Sequence, residues 1–222
     1  MSLIVQPPLS RINVSLGLIW LFHISGALGI IYGKAEWFIK TTPINLMISF
    51  ILLLLNTEFN RKTLWVLLSC YGVGLFAEIV GVRYGVLFGN YSYGATLGIH
   101  WQQVPLLIGI NWCLLVIICG AIASTFSNSL WKRAFIGTFL MLFLDLLIEP
   151  VAPALDFWTF EEGIAGVQNY VGWALVALPL QGLFAFMNCK ADSKFSFHLY
   201  FLQSLFFILL MIRFYTLEGV SF

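Results

Sequence analysis

Long apolar runs alternate with short polar or aromatic connections along the whole chain, and a bilayer-crossing helix needs about 20 mainly apolar residues. Seven runs approach that size, at about 14–33, 42–56, 64–82, 104–125, 134–150, 169–188 and 197–215, the second and fifth being short. The pattern predicts an all-α integral membrane protein, a bundle of about seven transmembrane helices. No Pro/Ser-rich linker, low-complexity tract or internal repeat interrupts it, so residues 1–222 read as one transmembrane helical domain. Arg11 is followed by an apolar stretch with no small-residue cleavage box, which reads as a retained first span.

Composition supports lipid as the solvent. Of 222 residues, 60% are hydrophobic, 17% aromatic and 9% charged, whereas soluble domains carry roughly 25% charged residues. Eleven Lys and Arg with ten Asp and Glu cannot cover a water-facing surface of this size, and the mean hydropathy is +0.94. A formal net charge of +1 excludes the basic footprint of a nucleic-acid binder. Cys70, Cys113, Cys119 and Cys189 show no C-x-x-C spacing, which argues against a disulfide framework or a zinc site. If all seven runs cross, seven basic residues (Arg11, Arg61, Lys62, Lys132, Arg133, Lys190, Lys194) share one side and four (Lys34, Lys40, Arg83, Arg213) the other. The positive-inside bias then places the N-terminus in the cytoplasm of a multi-pass protein of the cell (inner) membrane.

The stretches RYGVLFGNYSYGATLGIHWQQ (83–103) and VAPALDFWTFEEGIAGVQ (151–168) fall on the opposite side. Both are rich in glycine and aromatic residues, and an interfacial aromatic belt accounts for most of these rings. The ionisable residues inside the runs are His23, Glu78, Asp145 and Glu149, with Arg83 at the end of the third. An acid at the centre of a span costs about 2.5–3.5 kcal/mol on insertion scales, so these carboxyls must face protein or water. Asp145 and Glu149 are four apart, on one helix face and about 6 Å apart along the axis. Pro150 ends that helix, and Glu78 lies near the same end of its own span, so three carboxyls converge at one depth. They could simply neutralise Arg83 or cap neighbouring helices, but intramembrane carboxyls are expensive and mark functional sites. His23 alone reads as a satisfied packing residue. Asn111, Trp112, Asn169, Tyr170 and Trp173 would line the region of the acids, Pro105 reads as a helix-entry residue, and Gly81, Gly85 and Gly89 would allow close approach. The final span has no Lys for a retinal Schiff base, and Walker, H-E-x-x-H and G-x-S-x-G motifs are absent.

The run EIVGVRYGVLFGNYSYG (78–94), VPLLIGINW (104–112), DLLIEP (145–150), Trp158 and NYVGW (169–173) together resemble the integral-membrane carotenoid 1,2-hydratases, of the γ-carotene 1′-hydratase and bisanhydrobacterioruberin hydratase type. The resemblance covers about residues 78–173, with Glu149-Pro150 where Asp-Pro is expected. It implies acid-catalysed addition of water to the terminal double bond of a linear carotenoid of the γ-carotene or lycopene type, through a tertiary carbocation and without cofactor or metal. On that reading Asp145 donates the proton, Glu149 or Glu78 is the ionised partner, and Asn111 and Asn169 place the water. The rings of Tyr91, Tyr93, Trp112, Trp158 and Trp173 could stabilise the cation by about 0.5–2 kcal/mol each, and Arg83 and Tyr170 complete the candidate substrate-binding set. The alternatives are a membrane lycopene cyclase using the same protonation, a proton-coupled transporter, and a pigment-binding assembly subunit. Bilayer lipid and a lipophilic carotenoid are the expected partners, and the oligomeric state is left open.

Overall fold

The computed structural model describes residues 10–217. Seven helices stand where the seven runs predict them: α1 (Arg11–Tyr32), α3 (Thr42–Leu55), α4 (Arg61–Tyr84), α5 (Leu107–Phe126), α6 (Leu130–Ile148), α7 (Val167–Met187) and α8 (Ser193–Leu217). A further six-residue helix, α2 (Ala35–Lys40), joins α1 to α3. Five of these, α1, α4, α5, α7 and α8, are long and apolar enough to cross a membrane. The other two are the short runs of the sequence: α3 has only 14 residues, and α6 carries Lys132, Arg133 and Asp145 within 19. The protein is an all-α, multi-pass membrane bundle.

Helix α5 is apolar all round, and such a helix belongs in the interior. It packs against α3, α4, α6, α7 and α8, and Leu114 to Ala123 are all buried. Lipid-facing positions elsewhere carry large apolar side chains such as Phe135, Phe139 and Phe143 on α6. All four cysteines are free and buried.

At one end of the bundle the two aromatic connections meet. Strand β1 (Tyr91–Tyr93) pairs antiparallel with β4 (Trp158–Phe160), in the register Tyr91↔Phe160, Ser92↔Thr159, Tyr93↔Trp158. Because strand side chains alternate, Tyr91, Tyr93, Trp158 and Phe160 share one face, and Ser92 and Thr159 point the other way, to the exposed side. A second small ladder joins β2 (His100–Trp101) to β3 (Val104–Pro105). Pro105 is thus a strand residue two positions before α5, not the helix-entry residue its position suggests. The carboxylate of Asp156 pins the loop after β1: its Oδ2 accepts from the backbone N–H groups of Ala95 (2.9 Å) and Thr96 (3.1 Å) and from the Thr96 hydroxyl (3.1 Å).

The turn out of α4 depends on two glycines. Gly85 sits at φ +65°, a left-handed conformation glycine adopts without Cβ strain, and its N–H closes the helix on Gly81 O at 2.8 Å. A Cβ on Gly81 would lie 2.6 Å from the Phe88 ring and 2.8 Å from the Tyr91 hydroxyl, so the missing side chain admits the returning chain.

Candidate active site

Glu78, 4% exposed, projects from the last third of α4 beneath the β1–β4 ladder. Tyr91 donates to its Oε2 at 2.6 Å, Tyr93 donates to the same oxygen at 2.8 Å, and the indole N–H of Trp112 on α5 donates to Oε1 at 3.1 Å. Three donors converge on two oxygens, a set that an ionised carboxyl, which only accepts, satisfies in full. Burial, then the neighbouring charge of Glu78, pushes both phenols well above the usual tyrosine range, so they remain O–H donors.

The second group is built on α6 and α7. Helix α6 ends at Ile148 with Glu149 as its C-cap, directly before Pro150, as the sequence predicts. The side-chain N–H2 of Asn169, in the first turn of α7, donates to Asp145 Oδ2 at 2.9 Å and to Glu149 Oε1 at 3.1 Å. One amide therefore clamps the two carboxyls that the four-residue spacing sets on one face. Trp158 from β4 donates to Glu149 Oε2 at 3.0 Å. Asp145 is 1% exposed, and its Oδ1 has no partner among the described residues. The number of donors thus falls from three at Glu78 to two at Glu149 and one at Asp145.

These side chains enclose a chamber of about 20 Å³ lined by Glu78, Tyr91, Tyr93, Asn111, Trp112, Glu149, Trp158, Asn169 and Trp173, with Ile108, Phe88 and Phe160 completing the wall. A cavity needs about 10–15 Å³ to hold one water molecule, so this space suits one. Trp112 and Trp173 stack at 4.4 Å between ring centres, and Tyr93 meets Trp158 edge-on at 6.1 Å. Across Ile108, Asn111 and Trp158, which line both spaces, lies a cavity of about 370 Å³ bounded by α1, α2, α3, α5, α6 and α8. Its wall beside the chamber is apolar, with Ile108, Leu144, Ile148 and Phe157, and the amide of Asn111 has no hydrogen-bond partner among the described residues.

Of the residues singled out in the sequence, nine line this chamber. Asp145 stands behind Asn169 and does not line it, and Tyr170 is half-buried alongside. Arg83 is exposed, its guanidinium lying 5.5 Å from the centre of the Tyr84 ring, and it pairs with none of the three acids. Sequence reasoning missed Asp156, which pins the loop after β1 that carries Leu97 into the cavity wall, and the apolar lining residues Ile108, Phe88 and Phe160. The only local signal for Phe160 was the alternation Trp158-Thr159-Phe160 facing Tyr91-Ser92-Tyr93.

The sequence pattern of a family described as "Carotenoid biosynthesis protein" matches residues 40–220, which takes in the whole cluster. Bisanhydrobacterioruberin hydratase of Haloarcula japonica is 32% identical over 123 residues, covering 50% of this chain and 40% of that relative. The match therefore spans well under half of the relative's own length. No solved structure matches the chain. A match of this extent, over the helices that carry the three carboxyls, makes the chain a member of the carotenoid biosynthesis protein family.

Proposed function

We propose that the protein is a carotenoid hydratase that adds water to the terminal 1,2 double bond of a linear carotenoid, giving a tertiary alcohol. The observation that carries the reading is a water-sized chamber walled by carboxyls that shares Ile108, Asn111 and Trp158 with a larger, mainly apolar cavity. The name of the Haloarcula relative is consistent with it. A cavity of about 370 Å³ has the size of a small-ligand pocket, so it takes the end segment of the substrate while the polyene stays in lipid. Trp37 and Ile44, about 60% exposed, border the cavity on α2 and α3 and mark its opening to the bilayer.

The division of labour follows the donor count. Glu78, held by three donors, remains ionised and balances the cation. Asp145, with one donor and a free oxygen, lies beside Glu149 on the same amide, and the two buried carboxyls hold one proton between them, because two charges so close are not both kept in a buried site. Glu149 lines the chamber and delivers the proton to the less substituted alkene carbon. The new C–H bond leaves a tertiary cation facing Trp112, Trp173, Tyr93 and Trp158, whose rings can each contribute about 0.5–2 kcal/mol. The water held by Asn111 forms the C–O bond, and its proton returns to the Glu149 carboxylate. No proton is gained or lost overall, which suits a site closed off by Trp158 and the ladder.

The test is expression in cells that accumulate γ-carotene or lycopene, followed by mass analysis of the pigments. The expected product is heavier by one water, and Glu149→Gln and Asp145→Asn lower its yield by about 10²–10⁴-fold, the usual contribution of a positioned acid–base group. A product of unchanged mass would indicate cyclisation and overturn the assignment.

A further inference from the structure

The larger cavity has a second wall of a different character. On α3, Thr42, Asn45 and Ser49 follow one another at i, i+3 and i+7, so they form one stripe on the helix, and all three line the cavity. The opposite side of α3 carries Ile51, more than half exposed and not part of the cavity wall, while Ile44 stands at the cavity's rim. Facing the stripe are His23 of α1 and Gln203 of α8, 5% and 9% exposed. His23 donates from Nδ1 to Ile19 O at 2.8 Å, which leaves Nε2 as an unused acceptor. The buried Asn45 Oδ1 and Gln203 Oε1 have no partner, and Ser49 and Thr42 make no side-chain hydrogen bond among the described residues.

A polar stripe turned inward on a short helix whose outer face is apolar is costly, unless the cavity beside it is wet. The stripe begins at the end of α3 next to the exposed Glu36–Lys40 ion pair, a level reached by water, and runs inward by about 10 Å at 1.5 Å per residue. Asn111 stands between this cavity and the carboxyl chamber, its amide likewise without a hydrogen-bond partner among the described residues. The chamber has room for one water and must be refilled after each addition, whereas its other walls are rings, Ile108 and hydrogen-bonded carboxyls.

We propose that the inward face of α3, with His23 and Gln203 opposite, is a water track that leads from the membrane surface beside α2 to Asn111 and the chamber. It runs along one wall and leaves the apolar wall of Ile108, Leu144, Ile148 and Phe157 to the hydrocarbon. The use of that water in an addition reaction rests on the hydratase reading, and the track itself does not.

The test uses the full-length protein in lipid vesicles with a small, water-soluble, membrane-impermeant methanethiosulfonate reagent added on the α2 side. Ser49→Cys and Thr42→Cys place thiols on the track, and Ile51→Cys places one on the lipid face of the same helix. Unsubstituted protein, with its four buried cysteines, gives the background. Only the thiolate reacts, and each unit by which an apolar setting raises a thiol pKa removes about tenfold of it. The track thiols are expected to react at least about tenfold faster than the thiol of the Ile51→Cys protein, and to stay reactive in vesicles loaded with lycopene. Labelling at Thr42→Cys and Ser49→Cys no faster than at Ile51→Cys overturns the track. So does labelling that lycopene abolishes, because the wall would then belong to the ligand. Rapid, lycopene-resistant labelling in a protein that forms no hydrated pigment supports the track and refutes the hydratase reading instead.

Discussion

Replacing Glu78 by Gln separates an ionised carboxyl from a neutral one at the centre of the site. A protonated glutamic acid has one O–H and one C=O, and glutamine mimics it closely, so the substitution would be nearly silent. An ionised Glu78 accepts from Tyr91, Tyr93 and Trp112 at 2.6, 2.8 and 3.1 Å. In the Glu78→Gln protein the new N–H2 must face either the two phenols or the indole, and the less costly choice keeps the oxygen on the indole, which can only donate. Two hydrogen bonds to a charged group, each worth about 1.5–3 kcal/mol, are then lost, and rotation of one phenol to accept from the amide recovers part, for a net cost of about 2–4 kcal/mol. At about 2–4 °C per kcal/mol for a chain of this size, Tm should fall by roughly 5–15 °C. The assay is thermal unfolding of purified protein in one detergent, with Tyr93→Phe alone and combined with Glu78→Gln. Coupling between the two changes locates the loss in this hydrogen bond. A Glu78→Gln protein with unchanged Tm and full pigment conversion would refute an ionised Glu78 and the donor-count argument with it.

Asn169→Leu removes the amide shared by Asp145 and Glu149, and should cost about 2–4 kcal/mol in chemical denaturation, because two buried acceptors lose their donor. Pigment conversion in the same variant should fall by more than the loss of folded protein accounts for. Trp158→Phe keeps a ring against Tyr93 but deletes the donor to Glu149, and one hydrogen bond to a charged group, at about 1.5–3 kcal/mol, corresponds to roughly a 10–100-fold lower initial rate of product formation in membranes. Gly81→Ala places a methyl 2.6 Å from Phe88 and 2.8 Å from the Tyr91 hydroxyl. Overpacking of this kind costs about 1–3 kcal/mol, read as a lowered Tm, and conversion should fall with it as Tyr91 is displaced from Glu78.

The helical frame was legible because hydropathy reports it directly, and the misses have physical causes. The run expected at about 134–150 begins at Leu130, since Lys132 and Arg133 at a helix end keep their charges in water without ending the helix. The six residues of α2, with Glu36 and Lys40 among them, hold an apolar run of only Trp37, Phe38 and Ile39, far too short to signal a span. Convergence of Glu78, Asp145 and Glu149 could be read from helix direction and from Pro150. Arg83 did not join them because five positions on from Glu78 correspond to about 140° around the helix, a different face. The pairing of β1 with β4 closes the site with Tyr91, Tyr93 and Trp158. It links segments more than 60 positions apart, and each segment carries only a three-residue alternation, too short to announce its partner. The polar stripe of α3 is visible as Thr42, Asn45 and Ser49, yet only the packing shows that it faces a cavity rather than another helix.

The central claim is that these carboxyls add one molecule of water to a carotenoid end group, and isotope labelling tests it most directly. Conversion of lycopene or γ-carotene by membranes containing the protein, run in parallel in H₂¹⁸O and in D₂O, should give an alcohol that carries one heavy oxygen in the first case. In the second it should carry one non-exchangeable deuterium on the carbon next to the alcohol carbon, with neither label entering in membranes of Glu149→Gln. A product that takes up deuterium without oxygen, or an alcohol whose oxygen does not come from the solvent, would contradict the account.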